Sequence, residues 1–390
     1  MIDRGHQWGI PAVFMRGGTS KALMFKRSDL PAEEEKLRRF FLAAMGSPDA
    51  YGRQLDGMGG GLSSLSKVCI VGPASREDAD VDYTFVQIGI RDDIVDYDGA
   101  CGNMTSAIGP FAVDEGLVEV AEDGDVTIRI HATNSGKIIH SSFAVRKGLA
   151  SVSGDCEIIG VTPKGAGIRL DFIEPGNSRG HGLLPDAKGT TLLELPDGDT
   201  IEASLVDSAN PCVFVRAEDF GLTGCENPEE IDANTKMVRR LENTRRVASV
   251  KMGIAASPEQ AGKIQSVPKI AIIAKPDTYQ TLSGEAVAAV SYDIAVRMMS
   301  MGQAHRAIPV TGALCVATAA QLANTLVSGV MLARDHTDIL IGTPSGILQV
   351  DAIVDTSQAD NPRARQASIW RTTRRLMEGL VLVPKQKLEN

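Results

Sequence analysis

Two stretches of small and apolar residues constrain the fold more than any other feature of this sequence. Residues 105–113 and 316–322 are apolar on nearly every side of a helix, which is typical of a helix that is buried all round. A cysteine stands near the start of each stretch, Cys101 before the first and Cys315 before the second. Each helix must be enclosed by other elements. The sequence therefore predicts, in each half of the chain, a sheet wrapped around one buried helix.

The segments between these stretches carry strand patterns in both halves of the chain. Helical spacing is confined to residues 32–45 and 227–250, and strands are predicted at 10–15, 67–72, 81–90, 126–145 (a hairpin), 191–195, 201–205, 210–215, 269–274 and 286–299. Residues 175–188 are rich in Gly, Pro and Asn and are predicted to be a linker. We therefore expect an α+β fold of two pseudo-symmetric domains, each an antiparallel β-sheet around a central buried helix. The expected domains are 1–185 and 186–365, with 366–390 left open as a further part of the first.

Length and charge exclude several classes of protein. With 390 residues the chain exceeds one ordinary core, and a net charge of -9 argues against a nucleic-acid surface. Arg371, Arg374 and Arg375 are predicted to form one exposed face near the C-terminus. No Cys-x-x-Cys pair points to a zinc site, and no apolar run or leader pattern is present, so we expect a cytoplasmic protein with reduced thiols.

One lysine and one cysteine have surroundings that suit proton transfer. Lys67 follows a glycine run and small residues, where desolvation favours the neutral amine. Cys101 precedes Gly-Asn and the first buried helix, whose positive end favours the thiolate. Together they form a candidate acid–base pair that needs neither metal nor cofactor, although a small buried hydrophobe is the commoner role of a free cysteine.

Two familiar motifs are incomplete in this sequence. The run Gly57-Met58-Gly59-Gly60-Gly61-Leu62 lacks the third glycine of a dinucleotide fingerprint, and a strand follows it instead of a helix. Ser64 and Lys67 match Ser-x-x-Lys, but the Ser-Asp-Asn and Lys-Thr-Gly motifs of penicillin-binding enzymes are missing. Both readings are therefore set aside.

Several motifs in order resemble the PrpF family over almost the whole chain. They are Arg16-Gly17-Gly18-Thr19-Ser20-Lys21, Gly59 to Lys67, Cys101-Gly102-Asn103, His305-Arg306-Ala307, Thr311-Gly312-Ala313-Leu314-Cys315, Pro344-Ser345-Gly346 and Arg371-Thr372-Thr373-Arg374. The resemblance implies a diaminopimelate epimerase-like fold, with the active site between two similar domains. It also implies the activity of 2-methylaconitate isomerase, methylitaconate Δ-isomerase or 4-oxalomesaconate tautomerase. Thr343 replaces a histidine that is frequent in the family, and Gly99-Ala100 is closer to the methylaconitate branch.

Carried onto this sequence, the resemblance implies Lys67 and Cys101 as the catalytic residues. The substrate-binding residues that we expect are Arg16, Gly18, Thr19, Ser20, Ser64, Ser66, Gly102, Asn103, Met104, Asn210, Lys269, Arg306, Thr311, Gly312, Cys315, Ser345 and Gly346. Among them, backbone N–H groups at the starts of the two buried helices suit a developing anion. Hydroxyls and Arg306 suit carboxylates.

The expected reaction is the shift of a C=C bond by 1,3-allylic proton transfer in a small unsaturated di- or tricarboxylate, without a cofactor or a metal. The sequence does not say which of Lys67 and Cys101 is the base. Two other functions stay open: a racemase or epimerase that uses Cys101 and Cys315 as two thiols, and a non-catalytic carboxylate-binding protein. The expected partners are the substrate and further copies of this chain, in a homodimer or higher homo-oligomer, and neither nucleic acid nor membrane.

Overall fold

The structure, a computed structural model, describes residues 1–97, 99–264, 267–300, 302–332, 338–358 and 361–389. Asp98, which precedes the Cys101 motif, lies outside these residues. The chain forms two compact units, Met1–Leu170 with Trp370–Asn390, and Asp171–Ile369. The domain boundaries expected at 185 and 365 stay a prediction.

The first unit is mostly sheet. Before the chain enters the second unit, its helices are α1 (Glu34–Met45) and α2 (Gly102–Asp114). Its strands in this part are β1 (Ile2–Arg4), β2 (Gln7–Gly17), β3 (Ser20–Lys26), β4 (Lys67–Pro73), β5 (Val81–Ile88), β6 (Val95–Asp96), β7 (Gly124–Ala132), β8 (Lys137–Arg146), β9 (Leu149–Ala150), β10 (Cys156–Ile158), β11 (Val161–Gly165) and β12 (Ile168–Ile173).

The second unit has more helices, which are α3 (Pro228–Ala233), α4 (Thr235–Lys251), α5 (Pro258–Lys263), α6 (Val310–Ala320) and α7 (Leu326–Val330). Its strands are β13 (Thr191–Glu194), β14 (Thr200–Ser208), β15 (Asn210–Arg216), β16 (Lys269–Ala274), β17 (Tyr279–Gln280), β18 (Ala286–Val287), β19 (Ile294–Ser300), β20 (Gln303–Ala304), β21 (Ile339–Thr343), β22 (Gly346–Asp355) and β23 (Arg363–Arg371). The chain returns to the first unit at Trp370, near the end of β23, and continues as β24 (Thr373–Pro384) and α8 (Gln386–Glu389).

The two units pair their central strands in the same order of directions. In the first unit the pairs β2–β3, β4–β5 and β7–β8 are antiparallel, and β3–β4 and β5–β7 are parallel. In the second unit β14–β15, β16–β19 and β21–β22 are antiparallel, and β15–β16 and β19–β21 are parallel. The sheets are thus mixed rather than purely antiparallel, because helical crossovers join each parallel pair. The shared order supports the internal duplication that the sequence pattern predicts.

A helix made of small residues is buried in each unit. The predicted helix over 105–113 is α2, and a Cβ on its Gly109 would lie 2.7 Å from Cε1 of Phe143, so a larger residue there would have to displace the side chains of β8. The second predicted helix, over 316–322, is α6, which begins earlier, at Val310, directly after Pro309. Proline favours the first turn of a helix. Cys315 therefore lies inside α6.

Other helices pack against the sheets with one apolar face. In the first unit, Phe40 and Phe41 of α1 pack against Phe25 of β3, with the Phe25 and Phe40 rings edge to face and 5.6 Å apart. In the second unit, Met237 and Leu241 of α4 are buried in the core with strands β14 to β16. Each face buries apolar area that contributes about 25 cal/mol per Å².

The segment predicted to be a linker lies within the second unit. Residues 175–188 contain no helix or strand, and the Asn177 and Arg179 amides donate to the Asp207 carbonyl and carboxylate, respectively. The segment is therefore held against β14. None of the helices formed by the described residues is long and apolar enough to cross a membrane.

Candidate active site

Lys67 is the first residue of β4 and lies almost entirely below the surface, with 7% of its area exposed. The register puts it between Ala22 of β3 and Gln87 of β5. Its Nζ donates to Oε1 of Gln87 at 2.5 Å and lies 4.9 Å from the centre of the Phe85 ring. The amine is therefore held by an amide and an aromatic face, and no carboxylate among the described residues pairs with it.

Cys101 is the residue immediately before α2. It has an extended backbone with φ -124°, and its carbonyl accepts from the Thr105 amide at 3.0 Å and from Thr105 Oγ1 at 3.1 Å. Its side chain makes no capping hydrogen bond and is partly exposed. The thiol thus stands beside the positive end of a 13-residue helix.

Two neighbours connect the surroundings of Lys67 and Cys101. Cys69 lies two residues after Lys67, on the same face of β4, and its Sγ lies 3.8 Å from the Tyr83 hydroxyl. Burial raises the pKa of Cys69, with the charge of Cys101 adding to the rise, whereas the Tyr83 hydrogen bond and Lys67 oppose it. The loop before Cys101 also reaches Phe85, because a Cβ on Gly99 would lie 3.5 Å from Cε1 of that ring. Lys67 and Cys101 therefore share one region of the first unit.

The turn between β2 and β3 packs against the start of α2. Nδ2 of Asn103 donates to Oγ1 of Thr19 at 3.1 Å. Gly18 has a φ of +52°, and a Cβ there would collide with the Asn103 amide. A Cβ on Gly17 would lie 2.7 Å from the Asn103 carbonyl and 3.2 Å from Sδ of Met104. The two glycines thus allow the turn and the helix to meet.

Arg16 holds this turn through two backbone carbonyls, and Ser20 is buried beside it in sequence. Nη1 of Arg16 donates to the carbonyls of Gly18 and Thr372, both at 2.9 Å. Burial lowers the pKa of Arg16, and the neighbouring charge of Arg374 lowers it further. Ser20 is 3% exposed.

The prediction that Arg371 belongs to an exposed face is wrong. Arg374 is exposed, but Arg371 is 6% exposed, and burial lowers its pKa to about 10, with Cys156 opposing. Its Nε donates to Oδ1 of Asn103 at 3.3 Å and its Nη1 to the Trp370 carbonyl at 2.9 Å. No carboxylate in the described part of the chain pairs with this guanidinium. Alternation at the end of β23 exposes Trp370 instead and turns Arg371 towards α2.

The serines before Lys67 differ in what they can contact. Ser66 is fully buried, and its hydroxyl donates to Oε1 of Gln54 at 2.6 Å. Gln54 Oε1 also accepts from the Gly61 amide, so this hydroxyl holds the loop that leads to Lys67. Ser64 lies in the short 3-10 helix Ser63–Leu65 and is partly exposed.

In the second unit, the predicted residues form three small groups. Arg306 is exposed and pairs with Glu229, and its carbonyl accepts from Ser345 Oγ at 2.7 Å. Thr343 Oγ1 donates to the carbonyl of Gly346, the first residue of β22. Asn210 and Lys269 are the first residues of the paired strands β15 and β16.

The third group lies on α6. Thr311 and Gly312 are in its first turn, where N–H groups lack intrahelical partners. Cys315 is fully buried, and its Sγ lies 3.5 Å from the Val206 carbonyl. Burial raises the pKa of Cys315 well above its ordinary value, and Cys212 raises it further. A buried, protonated thiol is a poor nucleophile and a poor base.

Sequence reasoning missed Gln87, Cys69, Tyr83 and Arg371. Gln87 belongs to no motif, and its position is revealed only by the β4–β5 register. The described residues contain no group of three or more His, Cys, Asp or Glu side chains that could hold a metal ion.

Comparison with known proteins places this chain in one family. The profile of the family described as PrpF protein matches residues 7–384. The chain is 39% identical to 3-methylitaconate isomerase from Eubacterium barkeri, over 98% of this chain and 99% of that protein. It is 36% identical to 2-methyl-aconitate isomerase from Cupriavidus necator, over 96% of this chain and 97% of that protein.

Solved structures support the predicted fold. The crystal structure of methylitaconate-delta-isomerase matches with a TM-score of 0.85 and 38% identity, over 99% of this chain and 98% of that one. A probable proline racemase from Agrobacterium radiobacter matches with a TM-score of 0.52 and 14% identity, over 95% and 92%, which confirms the diaminopimelate epimerase-like α+β fold alone. The chain therefore belongs to the PrpF protein family and, like the relatives that it matches over nearly their whole length, is an isomerase.

Proposed function

We propose that this chain shifts a C=C bond in a small unsaturated di- or tricarboxylate by 1,3-allylic proton transfer, with Lys67 and Cys101 as the acid–base pair. The observation that carries the proposal is the shared neighbourhood of these two groups. Cys101 raises the pKa of Cys69 and Lys67 lowers it, and the Phe85 ring lies against both the Lys67 amine and the loop before Cys101. The names of the relatives support this substrate class, since they refer to methylitaconate and methylaconitate.

The reaction balances without a redox partner. One of Lys67 and Cys101 removes a proton from the carbon next to the double bond, and the electron pair spreads over the allyl unit and the adjacent carboxylate. The other group delivers a proton to the far end, and the double bond forms between the first two carbons. The base ends protonated and the acid deprotonated, and proton exchange with solvent resets both. Acid–base catalysis of this kind contributes about 10²–10⁴-fold.

The dienolate intermediate needs positive partners because its substrate is already anionic. Backbone N–H groups at Gly102 and Asn103 suit this charge, since they begin α2 and have no partners within the helix. The Arg371 guanidinium, bonded to the Asn103 side chain and lacking a described carboxylate partner, adds a full positive charge beside the same helix end. Preorganised donors of this type account for much of the rate of such reactions.

The proposed setting is the cytoplasm, because all six cysteines are free in this structure and reduced thiols are typical of that compartment.

The experiment is NMR of the wild-type protein with a panel of unsaturated acids in D₂O. The panel contains itaconate, methylitaconate, cis- and trans-aconitate and methylaconitate. Allylic protons that wash out, together with a moved double bond, support the proposal. Binding of these acids without any exchange supports a non-catalytic binding protein instead.

The two-thiol alternative makes a different prediction. It needs Cys315 as a reacting group, so Cys315→Ala would abolish turnover. We expect that variant to keep its exchange activity, because Cys315 is fully buried and bonded within the second unit.

A further inference from the structure

The amide of Gln87 has one orientation that fits its surroundings. Its Nε2 lies 3.1 Å from the Ser63 carbonyl and 2.9 Å from the Ser66 carbonyl, both of which are acceptors. Its Oε1 lies 2.5 Å from Nζ of Lys67. The opposite orientation would aim the oxygen at two carbonyls and the NH₂ group at an amine. The network therefore assigns Oε1 to Lys67 by chemistry as well as by position.

This arrangement makes Gln87 a pure acceptor towards Lys67. A neutral amine has two N–H bonds and one lone pair, and only an N–H can point at the amide oxygen. The lone pair is thereby turned away from β5 and left for another proton. A neutral acceptor also stabilises the ammonium form far less than a carboxylate would.

We propose that Gln87 is a positioning residue that orients the amine of Lys67 for proton transfer and offers it a neutral acceptor where a carboxylate would hold the ammonium form. This inference rests on the proposed function of Lys67. It predicts that the amide, rather than size or packing alone, is required at position 87.

The neighbours of Lys67 on the adjacent strands other than Gln87 offer its amine no acceptor oxygen from a side chain. Phe85 on β5 offers a ring face, and Ala22 on β3 is apolar. The titratable groups of this region are Cys69 on β4, Tyr83 on β5, Cys101 before α2 and Asp96 on β6, which the register places opposite Gln87. Burial raises the pKa values of Cys69 and Tyr83, so both stay neutral near pH 7. No described carboxylate pairs with the amine.

Two substitutions change the acceptor in opposite ways. Gln87→Glu replaces the neutral oxygen with a carboxylate, which stabilises the ammonium, and an opposite charge at this distance shifts a titration by about one to three pH units. In Gln87→Glu, the part of the pH dependence of kcat that reports loss of the lysine proton is therefore expected to move to higher pH. Gln87→Met keeps the length but removes the acceptor, so that limb is expected to move to lower pH. Its kcat is expected to fall about 10- to 100-fold, with little change in KM, because orientation is lost.

Gln7→Glu is the matched control for charge. Gln7 lies on β2, eight residues before Met15, which pairs with Ala22 beside Lys67. At about 3.3 Å per residue this is a separation of about 26 Å along the strand. Its pH profile is expected to match the wild type.

A direct titration keeps the test independent of activity. Protein carrying ¹³C at the lysine ε-carbons gives a Lys67 signal that is assigned by its loss in Lys67→Ala. Its midpoint is expected to rise in Gln87→Glu and to fall in Gln87→Met. If both variants are folded and titrate like the wild type, with rates lowered equally at every pH, Gln87 only supports the loop and the inference is overturned. If the wild type exchanges no allylic protons at all, the proposed function fails, while this titration still decides whether Gln87 controls the amine.

Discussion

Lys67 and Lys269 hold the same position in the two halves of the duplicated fold. Each is the first residue of the strand that pairs parallel with the strand before it, β4 with β3 and β16 with β15. The buried helices that follow differ at their starts. Cys101 directly precedes α2, whereas Pro309 precedes α6 and Cys315 lies inside that helix with no exposed area. This difference is why the acid–base pair is assigned to the first unit.

The contact between Gly18 and Asn103 gives a first prediction. Gly18→Ala forces an L-residue into the left-handed region, at about 1–2 kcal/mol, and pushes the Asn103 amide away from the start of α2. We expect a loss of stability in chemical denaturation and a clear loss of kcat/KM.

Gly116→Ala is the control for backbone strain alone. Gly116 has a φ of +67°, and nothing lies within 4 Å of its added Cβ. It is expected to lose only the part of the stability that backbone strain accounts for and to keep full activity. Equal activity in the two variants would show that the Gly18–Asn103 contact has no part in function.

Arg371 gives a second prediction, in which a substitution weakens substrate binding without lowering the stability of the fold. Arg371→Met removes a buried charge that has no described carboxylate partner, so the free energy of unfolding is expected to stay the same or to rise. A lost charge-assisted hydrogen bond to substrate is worth about 1.5–3 kcal/mol, which corresponds to about a 10- to 150-fold rise in KM. Steady-state kinetics and urea denaturation measure the two quantities.

Arg374→Met is the matched control, because Arg374 is the exposed arginine three residues further on. It is expected to change neither KM nor stability. A large drop in stability for Arg371→Met without a change in KM would make Arg371 purely structural.

The thiols give a third prediction, which depends on pH. Burial raises the pKa values of Cys69 and Cys315 above the ordinary value near 8.5. A raised pKa keeps a thiol protonated through neutral and mildly alkaline pH, and the reactive thiolate forms only as pH rises further. Iodoacetamide on the folded protein between pH 7 and 8 is therefore expected to label Cys101 and to spare Cys69 and Cys315.

Peptide mapping by mass spectrometry reads the labelled positions, and denatured protein, in which all cysteines react, is the control. A bound unsaturated tricarboxylate is expected to protect Cys101. Labelling of Cys69 as fast as Cys101 in the folded protein would contradict the burial described above.

Much of this fold follows from local patterns. The all-round apolar stretch at 105–113 predicts α2, the apolar run at 67–72 predicts β4 and alternation predicts β5, because burial and pleating leave a direct trace in sequence. The apolar stretch at 316–322 covers only part of α6, which begins at Val310 directly after Pro309, so the helix starts in the Thr311-Gly312 motif whose N–H groups are expected there.

Residues that meet across neighbouring strands or elements cannot be identified from local sequence patterns of this kind. Gln87 opposes Lys67 through the register of β4 and β5, which depends on the length of the connection and not on either residue. Arg371 was misjudged for a related reason: its neighbour Trp370 takes the exposed side, and the fold turns the arginine towards Asn103. Tertiary contacts decide both positions.

The central claim is that Lys67 and Cys101 together carry the proton transfer. The most direct measurement is ¹H NMR in D₂O of isomerisation and deuterium uptake by the wild type, Lys67→Ala and Cys101→Ser, with Cys156→Ser as the thiol control. We predict that isomerisation falls about 10²–10⁴-fold or more in the first two variants, while the control keeps the wild-type rate. Whichever variant still exchanges the starting allylic proton retains the base. Isomerisation at a rate close to the wild type in Cys101→Ser or in Lys67→Ala would contradict the account.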